Sequence, residues 1–287
     1  MNIINPIISG AVRSIKSIKG ILVIWVVTLF MVCLVAMPVK NSVNSVLGAS
    51  MITEKLSGGI NVDVLTDFGS NLVPILSSLG SGIFLLAFFG FLVNVFFNGG
   101  LFSTLRNGEE VFSSPVFFRN SGTCFWSFLV ITTVMTLIIM FSVFIIFTVS
   151  LLFAGSGSTA AEGARYKAVI IAGIISIVIL PVFLLVADYA RVWQVCYPKS
   201  AGFKAIGIGF KQTFKHFFSS YPVMFVNMIL QALFAWFVLK FVSWTGPQTG
   251  WGIFLLFLIS QFLFILRILL RVWRYGSVTY LYERHPA

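Results

Sequence analysis

Acidic residues are scarce in this sequence: 8 Asp and Glu stand against 19 Lys and Arg, with only 2 His and 3 Cys in 287 residues. Each shortage excludes a class of chemistry. His216 and His285 have no second His, Cys or carboxylate at ligand spacing along the chain, so no metal site is expected, and no cofactor. Cys33 falls inside an apolar run, Cys124 and Cys196 fall toward the reducing face, and no C-x-x-C pair exists, which excludes a disulfide framework. The nucleophile-elbow, P-loop and zincin motifs are missing, and Gly207-Ile208-Gly209 beside a lysine is a lone glycine pair rather than a phosphate loop. No Asp, Glu or His lies midway along an apolar run, which argues against a proton-coupled carboxylate relay. Asp188 and the Glu109-Glu110 pair are the only groups an enzyme could use for acid–base work, and no catalytic residue is assigned.

What the chain has in abundance is hydrophobicity, 59% of all residues, gathered into six runs at 21–39, 72–97, 123–153, 167–187, 221–243 and 250–270. A bilayer core is crossed by roughly 20 apolar residues in a helix. The runs are too long for strands and lack the alternation of a barrel, so helices are expected. The run from Cys124 to Phe153 exceeds the hydrocarbon thickness and must tilt or protrude. The first run follows Arg13, Lys16 and Lys19 as a signal peptide would, but it is long and Leu34-Val35-Ala36-Met37-Pro38 is a poor cleavage site. The fold class expected is therefore all-α: one polytopic transmembrane domain over residues 1–287, with no soluble domain of useful size.

Positive charge orients such a protein. Assigning alternate breaks to alternate sides places 14 Lys and Arg with 4 acidic residues on the side of both termini, net +10, and 5 with 4 on the other, net +1. Both termini are expected in the cytoplasm. A basic face of this kind fits anionic lipid better than nucleic acid.

The chain echoes itself at a spacing near 100 residues. Phe117-Phe118 precedes Phe125 as Phe217-Phe218 precedes Phe225, with Ile18 and Trp25 at the matching places in the first third. Three helical hairpins, about 1–98, 99–190 and 191–287, are expected, each entered through an interfacial segment. In residues 203–218, Phe203, Ile206, Phe210, Phe214 and Phe217 form an apolar face, and Lys204, Lys211 and Lys215 mark another. In residues 3–19, Ile4, Ile7, Ile8, Ala11, Ile15 and Ile18 oppose Arg13 and Lys16. Both suit helices lying in the headgroup plane. The middle copy, Leu101 to Arg119, is interrupted by Gly108 and Pro115 and reads as two short pieces.

Small residues govern helix contacts in lipid. Ser78, Gly80, Gly82, Ala87 and Gly90 in the second run, with Ala172, Gly173 and Ser176 in the fourth, place those two spans at the centre and leave the Phe-rich third and fifth facing lipid or a partner. Three groups of candidate site residues follow. Asn227 and Gln231, four apart, and Gln261 form an intramembrane polar patch, serving either helix contact or a substrate path. Asp188, Tyr189 and Arg191 form an interfacial cluster after the fourth run, beyond the ladder-breaking Pro181. Arg267, Arg271 and Arg274, with Trp273 and Tyr275 beside them, are either snorkelling anchors or, with Lys204, Lys211 and Lys215, a headgroup-phosphate site.

Asn98-Gly99-Gly100 through Arg106, Phe117-Phe118-Arg119 before a run and Ala187-Asp188-Tyr189-Ala190-Arg191 after the next resemble a pattern in bacterial six-span membrane proteins. The pattern is also similar to the membrane region attached to some glycerophosphodiester phosphodiesterases, whose catalytic domain and acidic metal ligands have no counterpart in these residues. The resemblance implies a helical protein of a bacterial inner membrane. Together these readings point to a non-enzymatic scaffold, accessory subunit or lipid-interacting component, with anionic lipid and possible membrane-protein partners; the alternative is a permease or flippase for a lipidic or small amphiphilic molecule.

Overall fold

The computed structural model describes residues 3–47, 72–106, 112–153, 160–244 and 250–286. Glu109 and Glu110 lie outside the described residues. Among the described residues there are eight helices and no strand: α1 (Ile4–Lys16), α2 (Ile18–Leu47), α3 (Leu72–Arg106), α4 (Ser114–Phe153), α5 (Ala160–Cys196), α6 (Gly202–Lys215), α7 (Phe217–Trp244) and α8 (Gly250–Arg284). Six of them, α2 to α5 with α7 and α8, are long and apolar enough to cross a membrane, which makes the chain an integral membrane protein. The chain divides into two compact units, Met1–Leu22 with Val95–Ala287, and Val23–Asn94.

The helices outrun the apolar runs that mark them. Helices α3, α4, α5 and α8 hold 35, 40, 37 and 35 residues, which at 1.5 Å per residue is roughly 50–60 Å, against a hydrocarbon core of about 30 Å. The excess forms the protein core of the larger unit. Along α4 the buried positions Phe117, Ser121, Cys124, Phe128, Ile131 and Met135 recur at steps of three and four, so the extra length of this span is a packed stripe. Phe102 of α3 meets Phe128 at 6.0 Å and Tyr275 of α8 at 4.6 Å between ring centroids, and Phe97 stacks on Phe117 at 5.9 Å. By contrast, only 6% of the most apolar window of α8 and 22% of that of α5 is buried within the protein. Hydrophobicity and burial are uncoupled where lipid is the solvent.

Among the described residues, Leu101 to Arg119 falls in two pieces as expected, but they are ends of long helices: the first completes α3 and the last opens α4, with Pro115 in the first turn, where a missing N–H costs little. A Cβ on Gly80, Gly90 or Gly173 would meet no atom within 4 Å, so these glycines are not close-packing points, but Ala172 of the fourth span is buried, and in the larger unit the packed positions lie on that span, α5, and on the near half of α4. Helix α5 runs through Pro181 without interruption, and the Tyr221 hydroxyl donates to the carbonyl of Val178 at 3.1 Å, beside the gap in the ladder. The positions 100 residues apart agree in part. Ile18, Phe118 and Phe218 are all exposed, whereas Phe117 is buried and Phe217 is half-buried.

Helices α1 and α6 are amphipathic, but the side that packs is the side of small residues. Helix α1 buries Pro6, Gly10 and Ser14, and Gly10 lies against Gly276 and Ser277 so closely that a Cβ there would stand 2.6 Å from the Ser277 nitrogen. Its Ile4 and Ile8 are 63% and 57% exposed. Helix α6 buries Gly202, Ala205, Ile206, Gly209, Gln212 and Thr213, and a Cβ on Gly209 would stand 2.5 Å from the carbonyl oxygen of Val186 on α5. Gly207-Ile208-Gly209 is thus helix, and its second glycine is a packing contact. Phe203 and Phe214 face outward with Lys204, Lys211 and Lys215.

Candidate functional site

The densest polar constellation in the larger unit is built on Asp188. Helix α5 carries it one turn before Arg191, and the Arg191 Nη1 donates to Asp188 Oδ1 at 2.8 Å. Arg274 of α8 places Nε 3.0 Å from Asp188 Oδ2. This second contact is an ion pair whose N–H is not aligned into a hydrogen bond. The Asp188 side chain is fully buried and both arginines are nearly so, at 7% and 8% exposure. One carboxylate therefore faces two guanidiniums, a net charge of +1 away from water. The Arg191 Nη2 reaches Thr132 Oγ1 of α4 at 3.3 Å, and the Arg274 guanidinium lies 5.0 Å from the centroid of its neighbour Tyr275. Three helices that cross the membrane are thus tied together, α5 to α8 by the Asp188 carboxylate and α5 to α4 by Arg191.

Around it, further polar contacts fasten the same helices. The Tyr189 and Ser220 hydroxyls share a hydrogen bond of 2.6 Å between α5 and α7. The Gln194 amide donates to the Ser200 carbonyl at 2.9 Å, fixing the turn from α5 into α6, while its Oε1 is buried without a partner. Arg13 of α1 forms a two-pronged pair with Glu283, 2.9 and 2.6 Å, and also donates to the carbonyl of Leu105 at 3.2 Å. Trp273 donates from Nε1 to the Ile7 carbonyl at 2.7 Å.

The sequence-predicted residues separate into two sets. Asp188, Tyr189 and Arg191 come together as expected, but inside the protein, not at its edge. Arg274 leaves the basic rim to join them, Trp273 holds α1, and Tyr275 is buried against Phe102, so these three are not surface anchors. Lys204, Lys211, Lys215 and Arg267 are exposed, and Arg271 is half-buried. Asn227 is buried, with its amide donating to Val223 of its own helix at 2.9 Å. Gln231 Nε2 is buried without a hydrogen-bond partner, and Gln261 is half-buried.

The two histidines, isolated in the sequence, meet in the fold. Their rings stack 4.5 Å apart at an interplanar angle of 13°, with the Gln212 amide donating to the His285 carbonyl. Partial burial, then the neighbouring His285 and Lys215, hold His216 below its usual pKa, so His216 favours the neutral state. Among the described residues no group of three His, Cys, Asp or Glu could hold a metal ion. Sequence spacing missed Arg274, Thr132, Ser220 and Arg13 with Glu283 as partners. The available signal was electrostatic: an acid beside an apolar run, in a segment rich in arginine, needs a counter-charge.

No family model, curated protein or solved structure matches the chain. The class rests on the fold: an integral membrane protein in which three membrane-crossing helices, α4, α5 and α8, meet at a buried, cationic cluster.

Proposed function

We propose that the protein is a non-enzymatic component of the bacterial inner membrane, a scaffold or accessory subunit with both termini in the cytoplasm, that holds anionic lipid headgroups along its basic end. One observation carries the reading. Helix α6 is locked to α5 by its small-residue face while Phe203, Phe214 and three lysines point outward, the disposition of a helix bedded at the headgroup boundary. The exposed isoleucines of α1 repeat it, and the bacterial setting follows the resemblance described above. The permease or flippase alternative rests on Gln231, whose buried amide lacks a partner.

Gentle detergent extraction followed by native mass spectrometry tests the proposal. Anionic lipid is expected to accompany the wild-type chain and to be lost when Lys204, Lys211, Lys215, Arg267 and Arg271 are changed to Gln. Leucine at Asn227, Gln231 and Gln261 should leave that lipid in place. An unchanged lipid complement in the first variant would overturn the headgroup role, and loss of transport in the second, with normal expression, would favour the permease.

A further inference from the structure

A cleft of about 430 Å³ opens beside the tethered end of α1, lined by Arg106, Val192, Cys196, Tyr197, Tyr282 and Glu283. Among the described residues its charges are not balanced. Glu283 gives both carboxylate oxygens to Arg13, so it has little left for a ligand cation. Arg106, the last residue of α3, makes no hydrogen bond or ion pair with any described residue and is exposed. The carbonyl of Leu105 just before it, one of the groups that would repel an anion at a helix C-terminus, is already met by Arg13.

We propose that this cleft is a binding site for a phosphate group, either the headgroup of an anionic lipid or a soluble phosphate compound, with Arg106 as the binding residue. A guanidinium presents a planar fork of donors that matches two phosphate oxygens, and it is less strongly hydrated than an ammonium, so it gives up water more readily. The lining carries net charge +1 when Arg13 is counted with its partner Glu283, which is neutralised by one bound monoanion. The volume lies within the range of small-ligand sites, and Val192 supplies an apolar wall for the carbon that carries the phosphate. The site is separate from the lysine rim on α6, and the two stand or fall independently.

Cys196 lines the cleft and reports on its occupancy. With full-length protein in phosphatidylcholine nanodiscs, alkylation of Cys196 by iodoacetamide is followed by peptide mass spectrometry, with inorganic phosphate or dihexanoyl phosphatidic acid as the added probe. At a probe concentration near ten times its dissociation constant, alkylation is expected to slow roughly ten-fold, since only the free fraction reacts. Each variant is compared with its own rate without probe: Arg106→Gln should lose the protection, Arg106→Lys should retain part of it, and the Lys204, Lys211, Lys215 triple Gln variant should retain all of it. Protection by the short-chain lipid alone assigns the site to a lipid headgroup, and protection by both probes assigns it to phosphate itself. No protection by either probe, or protection that survives Arg106→Gln, would overturn the site. Loss of protection only in the lysine variant would also overturn it and would transfer the binding to the rim.

Discussion

Replacing Asp188 with Asn is expected to destabilise the protein by about 3–5 kcal/mol, because it strips the counter-charge from two buried guanidiniums and leaves them uncompensated. The side chain has no water to fall back on, and Arg191 and Arg274 are held on separate helices that cannot both withdraw. The folded fraction surviving detergent extraction, measured by size-exclusion chromatography across a heating series, should fall sharply. Removing all three charges together, Asp188→Leu with Arg191→Met and Arg274→Met, should recover much of the loss, since apolar replacement of a buried ionic cluster is often neutral or better. An Asn variant that melts with the wild type would show that the cluster is solvated or bound to another charge. A triple variant far worse than the single one would show that the guanidiniums are needed for themselves.

The second large effect is expected at Gly10. A Cβ there would stand 2.6 Å from the Ser277 nitrogen and 2.9 Å from the Trp273 carbonyl oxygen, and backbone atoms within a helix cannot step aside. Gly10→Leu should therefore lift α1 from α8 at a cost of at least about 1–3 kcal/mol, the usual range for overpacking. The displacement should also release the Trp273 bond to Ile7 and the Arg13–Glu283 pair. Hydrogen exchange is expected to rise across residues 4–16 and to remain slow in α4 and α5. Gly207→Ala is the control: it lies on an exposed helical face with no atom within 4 Å of the added methyl, so it should be neutral or stabilise slightly. Unchanged exchange in the Gly10→Leu protein would mean that α1 is held chiefly by lipid.

The spans were legible in the sequence because twenty consecutive apolar residues have one physical meaning. Their ends were not. Past residue 97 the chain turns polar, yet α3 continues to Arg106, because Asn98, Ser103 and their neighbours are buried among other helices. The same holds for α8, which carries Arg274, Ser277 and Thr279 into the core. Amphipathic helices α1 and α6 were found by periodicity, but the face that packs on the protein was not. In water the isoleucines would turn inward; beside lipid they lose nothing by staying out, and the close approach goes to Gly10 and Gly209. Asp188 was singled out by its place beside an apolar run, and Arg191 by its spacing. Arg274 was out of reach, since no local pattern links residues on different helices.

We expect six crossings that leave the basic end in the cytoplasm. Single cysteines introduced in a background where Cys33, Cys124 and Cys196 are alanine, and labelled with a membrane-impermeant maleimide, test it. Lys19→Cys, Arg119→Cys, Lys211→Cys and Arg284→Cys should label only in inverted inner-membrane vesicles, and Lys40→Cys, Arg165→Cys and Lys240→Cys only in right-side-out ones. Labelling of Lys211→Cys and Lys240→Cys from the same side would contradict the crossing of α7, and labelling of the first four positions from outside would contradict the cytoplasmic basic end.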